Sequence, residues 1–132
     1  MPAIIDTSFW IDFHRGNVPA EEVKRFQELA SNGEVLLYQF VWLELQVGFR
    51  SEKEQKYIRE CRRFAQWVPI ASEDVDRAVE IASILRKKGS PIGPPDLLIL
   101  AAAERLNAIL IHHDRHFTGA LSHGEFAERV WT

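Results

Sequence analysis

Two short apolar runs, each closed by an aspartate, do most to restrict how this chain can fold. Ala3-Ile4-Ile5 ends at Asp6, and Ala108-Ile109-Leu110-Ile111 ends close to Asp114. Runs this short, apolar without alternation and partly β-branched, suit strands buried on both faces, as in parallel sheets. Between them the periodicity changes. Pro19 to Ala30 carries Val23, Phe26, Leu29 and Ala30 on one face, and Ser51 to Trp67 and Ser72 to Lys87 repeat an amphipathic pattern, so all three stretches predict helices. Glu34 to Tyr38 predicts a further strand, and Trp67-Val68-Pro69-Ile70 a weaker strand or a connection. Strands alternating with helices point to an α/β sandwich on a mainly parallel sheet.

With 132 residues, 46% of them hydrophobic, the chain fits one domain over 1–132. Residues 88–95, rich in Gly and Pro, read as an internal loop and not as a linker. An acid at position 6 interrupts what a signal peptide would need, and no apolar run is long enough to span a bilayer, so the expectation is a cytoplasmic protein with no membrane partner. The single cysteine, Cys61, has no internal disulfide partner and sits among Tyr57, Ile58, Phe64 and Ala65, which predicts a buried, inert thiol. The net charge of −3 repels polyanions in bulk, so any nucleic-acid role must rest on local groups or on a bound cation.

Four acids stand out. In open α/β sheets ligands bind beyond the carboxyl ends of the strands, where Asp6 and Asp114 lie. Each also has a plain structural reading, Asp6 as the N-cap of a helix starting at Thr7, and Asp114 as a turn residue. Glu44 is harder to explain that way. On a helix from Gln39 to Phe49 its neighbours at three and four positions are Phe40, Val41, Val47 and Gly48, with no basic residue among them. It either meets a cation or snorkels to water from the edge of the apolar stripe. Asp96 follows Pro94-Pro95 and precedes the apolar stretch Leu97 to Ala103, at the positive end of a buried helix, where capping explains it as well as chemistry does. Held together, four acids would raise one another's pKa values and would call for a hard divalent cation, Mg²⁺ or Mn²⁺. Such a cation suits hydrolysis of a phosphoester.

In order and spacing, Ile4-Ile5-Asp6-Thr7-Ser8-Phe9-Trp10-Ile11, Glu44-Leu45-Gln46-Val47-Gly48, Asp96 to Ala103 and Leu110-Ile111-His112-His113-Asp114-Arg115-His116-Phe117 resemble a PIN domain, specifically a VapC-type ribonuclease toxin. The resemblance covers nearly the whole chain. It implies a three-layer α/β/α fold and metal-dependent endoribonuclease activity that leaves a 5′-phosphate. It also implies homodimerisation or a higher homo-oligomer, and inhibition by a small cognate antitoxin. Carried over by motif, Asp6, Glu44, Asp96 and Asp114 are the catalytic, metal-holding acids, and Thr7 matches a hydroxyl position beside the first. Two departures stand out: His112 occupies a position commonly held by threonine or serine, and the tail after Phe117 is short, which puts a final edge strand in doubt.

Other features have plainer readings beside the functional ones. His112 and His116 have a spacing that would suit zinc on a helix, but they follow a strand. Lys53, Lys56, Arg59, Arg62 and Arg63 recur after Ser51, and Arg86-Lys87-Lys88 closes a later helix; Glu52, Glu54 and Glu60 among them favour a solvated face over an RNA contact. Phe9, Trp10, Phe13, Phe40 and Trp42 offer more aromatic surface than a small core obviously needs, so part could form an antitoxin groove or a dimer contact, with ordinary core packing the plainer account residue by residue. Two rival functions remain at this level. One is a Mg²⁺-dependent phosphatase with Asp6 as nucleophile, weakened by Ser8 where such enzymes place a second acid, and the other is a non-catalytic binding module.

Overall fold

A computed structural model describes residues 1–114 and the backbone of a two-residue strand at 130–131. The order is β1 (Ala3–Ile5), α1 (Thr7–Arg15), α2 (Ala20–Ser31), β2 (Val35–Tyr38), α3 (Gln39–Gly48), α4 (Glu52–Phe64), β3 (Gln66–Val68), α5 (Ser72–Lys87), α6 (Pro94–Arg105), β4 (Ile109–Ile111) and β5 (Val130–Trp131). The strands form one sheet in the order β3-β2-β1-β4-β5, and every pairing is parallel. The doubted edge strand therefore forms, and pairs Val130 and Trp131 with Leu110 and Ile111.

The apolar runs become strands because every residue of β1 is fully buried, as are Val35 and Tyr38 of β2 and Leu110 of β4. Each helix start has a local cause. Asp6 caps α1 by accepting from the Ser8 N–H, and Gly16 closes it in the left-handed region at φ 74°, where an L side chain would be strained. Ser51 and Glu54 form a reciprocal capping box at α4, and Pro94 and Pro95 occupy the first two positions of α6. The helix expected to run to Trp67 stops at Phe64, because Gln66, Trp67 and Val68 pair with Leu36, Leu37 and Tyr38 and the sheet takes them.

The fold is a three-layer α/β/α sandwich. Aromatic contacts join α1, α2 and α4: Trp10 meets Phe26 at 5.6 Å and Phe64 at 6.3 Å between ring centroids. Right-handed crossovers put α1 to α4 on one face of the sheet and α5 with α6 on the other. Phe9 and Trp10 are wholly buried, which assigns them to the core, while Phe13, Phe40 and Trp42 stay partly exposed. Cys61 is buried as expected, and burial pushes its thiol up to about 12. Among the described residues no helix is long and apolar enough to cross a membrane.

Candidate functional site

β1 lies mid-sheet, and the chain leaves it towards β2 on one side and returns to β4 on the other, so the crossover direction reverses between β1 and β4. At such a switch point the loops splay apart and open a crevice at the carboxyl end. Ile5 pairs with Ile111, and the Asp6 N–H donates to the Ile111 carbonyl at 2.9 Å, so the chain after both strands emerges side by side. Asp6 and Asp114 thus come to the same edge, close enough for the Asp114 charge to act on Asp6.

Glu44 reaches that edge from α3, which begins directly after β2. The Thr7 hydroxyl donates to its Oε1 at 2.8 Å and holds it against the start of α1. Asp96 is the third residue of α6, half-buried. A short connection, residues 106–108, joins α6 to β4, so the helix runs back along the strand and its N-terminus lies toward the strand's carboxyl end. Asp6 thus lies near Asp114 on one side and near Glu44 on the other, and the order of elements turns the end of α6 that carries Asp96 toward the same side of the sheet.

Burial raises the pKa of Asp6, and the nearby Asp114 charge adds to this, against two bonds from Ser8 and the attraction of His112. Burial likewise raises Glu44, with Asp6 contributing, and the Thr7 bond only partly offsets it. A set of oxygen donors that repel one another in a partly dehydrated crevice fits a hard divalent cation, whose charge would reverse both effects. Among the described residues no three Asp, Glu, His or Cys side chains stand close enough to hold a metal ion as they are placed. The donor chemistry fits, and the carboxylates would have to close in, or bind through water, as Mg²⁺ commonly does.

Several residues that pattern reading passed over organise this edge. Ser8 donates its hydroxyl proton to Asp6 and accepts the His113 backbone N–H at 3.0 Å, tying the start of α1 to the segment after β4. His113 places Nδ1 2.8 Å from Asp12 and Nε2 2.8 Å from Glu22. Burial alone would lower its pKa, but the two carboxylate bonds outweigh this and raise it, and its ring packs edge-on to Phe9 at 5.1 Å. His113 is thereby fastened to α1 and α2 immediately before Asp114. His112 is buried, accepts the Asp114 N–H on Nδ1 at 3.1 Å, and is kept toward its neutral form mainly by burial. The zinc reading loses support, since His112 directly follows β4 and not within a helix; His116 lies outside the described residues. Only a hydroxyl next to a capping acid could have pointed to Ser8, and nothing local pointed to Asp12 or Glu22.

The sequence model of the PIN domain family matches residues 3–120. No curated protein sequence matches the chain. Solved structures do. VapBC2 from Rickettsia felis, bound to a DNA fragment from its promoter, is similar at TM-score 0.77 and 23% identity, over 89% of this chain and 92% of that one. VapBC-1 from nontypeable Haemophilus influenzae is similar at TM-score 0.72 and 27% identity, over 92% and 94%. DNA-bound VapBC from Salmonella typhimurium is similar at TM-score 0.72 and 20% identity, over 89% and 91%.

Proposed function

We propose that this chain, which belongs to the PIN domain family, is a Mg²⁺- or Mn²⁺-dependent endoribonuclease and the toxin of a VapBC-type toxin-antitoxin pair. The observation that supports the reading is that Asp6, at the switch point of the sheet, lies within reach of the Asp114 charge and itself acts on Glu44, with burial and this repulsion raising Asp6 and Glu44. Asp6, Glu44, Asp96 and Asp114 would hold the cation. When bound there it supplies a polarised water at neutral pH and neutralises charge on the phosphodiester. The chain's part is positioning: Thr7 fixes Glu44, Ser8 fixes Asp6 against the segment that carries Asp114, and the His113 bonds to Asp12 and Glu22 hold that segment to the helices.

The partners follow from the same reading. The toxin-antitoxin complexes among the similar structures support a cognate antitoxin, and a cleft of about 340 Å³ lined by Phe13, Phe26, Tyr57 and Phe64 suits an apolar anchor of it. A cytoplasmic homodimer, or a larger homo-oligomer, completes the proposal. The test is cleavage of labelled structured and single-stranded RNAs by purified protein with Mg²⁺, Mn²⁺ or EDTA, beside Asp6→Asn. Metal-dependent cleavage that the variant lacks is expected. Equal cleavage by both, or cleavage that persists in EDTA, would overturn the reading.

A further inference from the structure

Among the described residues, no basic residue of α4 bonds to any of the four acids. Arg59, Arg62 and Arg63 share one exposed face of that helix at positions i, i+3 and i+4. The Arg62 guanidinium lies 4.1 Å from the ring centroid of Trp67 on β3 and 4.8 Å from that of Trp42 on α3. The two indoles meet nearly at right angles, 6.1 Å apart. Two adjoining clefts of about 450 and 440 Å³ cross this face, and no carboxylate lines either of them. None of the three arginines has an ion pair among the described residues, whereas Arg77 and Arg105 are paired with Glu80, Glu104 and Asp74. In a chain of net charge −3, three cations gathered around two indoles form a local positive field against an opposing background.

The combination is selective for a kind of ligand. A guanidinium stacked on indole keeps its N–H edge for a phosphate, and an indole face takes a base of any sequence. A duplex turns its bases inward and offers none to stack on, whereas a single strand presents base and phosphate together. Taking the ribonuclease reading above as its premise, we infer that this face of α3, α4 and β3 grips the single-stranded RNA flanking the scissile bond.

The path between grip and site is short. Leu43 and Val47, 53% and 63% exposed, form the crest of α3. Going round the helix from Leu43, Glu44 stands about 100° to one side and Trp42 about 100° to the other. A strand lying across the crest, roughly 10–12 Å wide, reaches the acid from the indole within a few nucleotides. The apolar crest leaves that path without a competing charge.

The test is binding of a labelled single-stranded RNA to the full chain in EDTA, read by fluorescence anisotropy over a salt series. Arg62→Gln and the double variant Arg59→Gln/Arg63→Gln are measured beside wild type, and the double variant leaves the Arg62 stack in place. Expected are an affinity loss of about tenfold and a log–log salt slope shallower by about 0.7 for each cation removed. With Mn²⁺ present, KM should rise by the same factor at unchanged kcat, and binding of duplex RNA should not respond. Wild-type affinity and slope in both variants would overturn the inference, and so would an equal loss in Lys87→Gln/Lys88→Gln, which would mean diffuse attraction. Wild type that cleaves, with variants identical to it, leaves the nuclease reading standing and removes the surface. Wild type that never cleaves, with binding lost in the variants, supports the surface and removes the nuclease reading.

Discussion

At the scale of single residues, two of the four acids, Asp6 and Glu44, work against the fold that presents them. Asp6 has its pKa raised by burial, with Asp114 adding to it. A carboxyl whose folded value lies above its unfolded value is penalised as pH climbs from the unfolded value, near 3.9, through the folded one. Asp6→Asn keeps a good N-cap and removes the charge. In EDTA at pH 7 it should therefore be more stable than wild type in urea denaturation, by about 1 kcal/mol, the scale seen when an active-site group is relieved. An equal or lower midpoint would mean the charge is already well solvated. Ser8 should behave in the opposite way. Ser8→Ala leaves a partly buried His113 N–H without its acceptor and should cost about 1–3 kcal/mol in the same assay. The sequence made Asp6 legible because it ends a strand and starts a helix. It left Ser8 illegible because its second partner lies 105 positions away.

At the scale of elements, the most completely buried charge among the described residues is not one of the four acids. Asp74 is 1% exposed and joins three elements. It receives the Ala71 N–H at 3.0 Å at the start of α5, the Tyr38 hydroxyl from β2 at 2.7 Å, and the Arg105 guanidinium from α6 at 2.7 and 3.1 Å. Burial would raise its pKa, yet the bonds from Arg105, Ala71 and Tyr38 outweigh this and hold it below the ordinary carboxylate range. A lowered folded value means stability that is present above the unfolded pKa, near 3.9, and is lost as pH falls through the folded value. Acid denaturation of wild type should thus include a component below about pH 4 that Asp74→Asn lacks. Asp74→Ala, which strands Arg105, should cost about 3–5 kcal/mol at pH 7 in urea unfolding, and a loss under 1 kcal/mol would show that water replaces the network. Helix periodicity revealed α5 and its bounds, since Ser72 to Lys87 is both the pattern and the helix. The pattern was silent on Asp74, because a first-turn acid on an amphipathic helix looks like ordinary capping. Where elements compete for the same residues the pattern also misled, and the end of α4 gave way to β3 because sheet pairing overrides helix propensity.

At the scale of the whole molecule, topology turns scattered acids into one edge. A parallel sheet whose crossovers reverse between β1 and β4 sends every carboxyl end the same way, so the chain after β1, β2 and β4 opens onto one crevice, and α6 turns the end that carries Asp96 toward that side. A cation binding there would favour the folded state alone, since the unfolded chain scatters these acids along its length. Ligand at about a hundred times its dissociation constant then stabilises by about 2.7 kcal/mol, which for a domain of this size raises Tm by about 10 °C. Saturating Mn²⁺ should give the wild type a shift on that scale in a thermal melt, with Ca²⁺ as a second hard cation for comparison. Asp6→Asn should lose the shift although it melts higher than wild type in EDTA, and these opposite signs separate a missing ligand from a damaged fold. Asp96→Asn decides how far the edge extends. If it too loses the shift, the N-terminus of α6 belongs to the metal site, and if its shift equals wild type, Asp96 is a helix cap and the site consists of the acids on β1, α3 and the segment after β4.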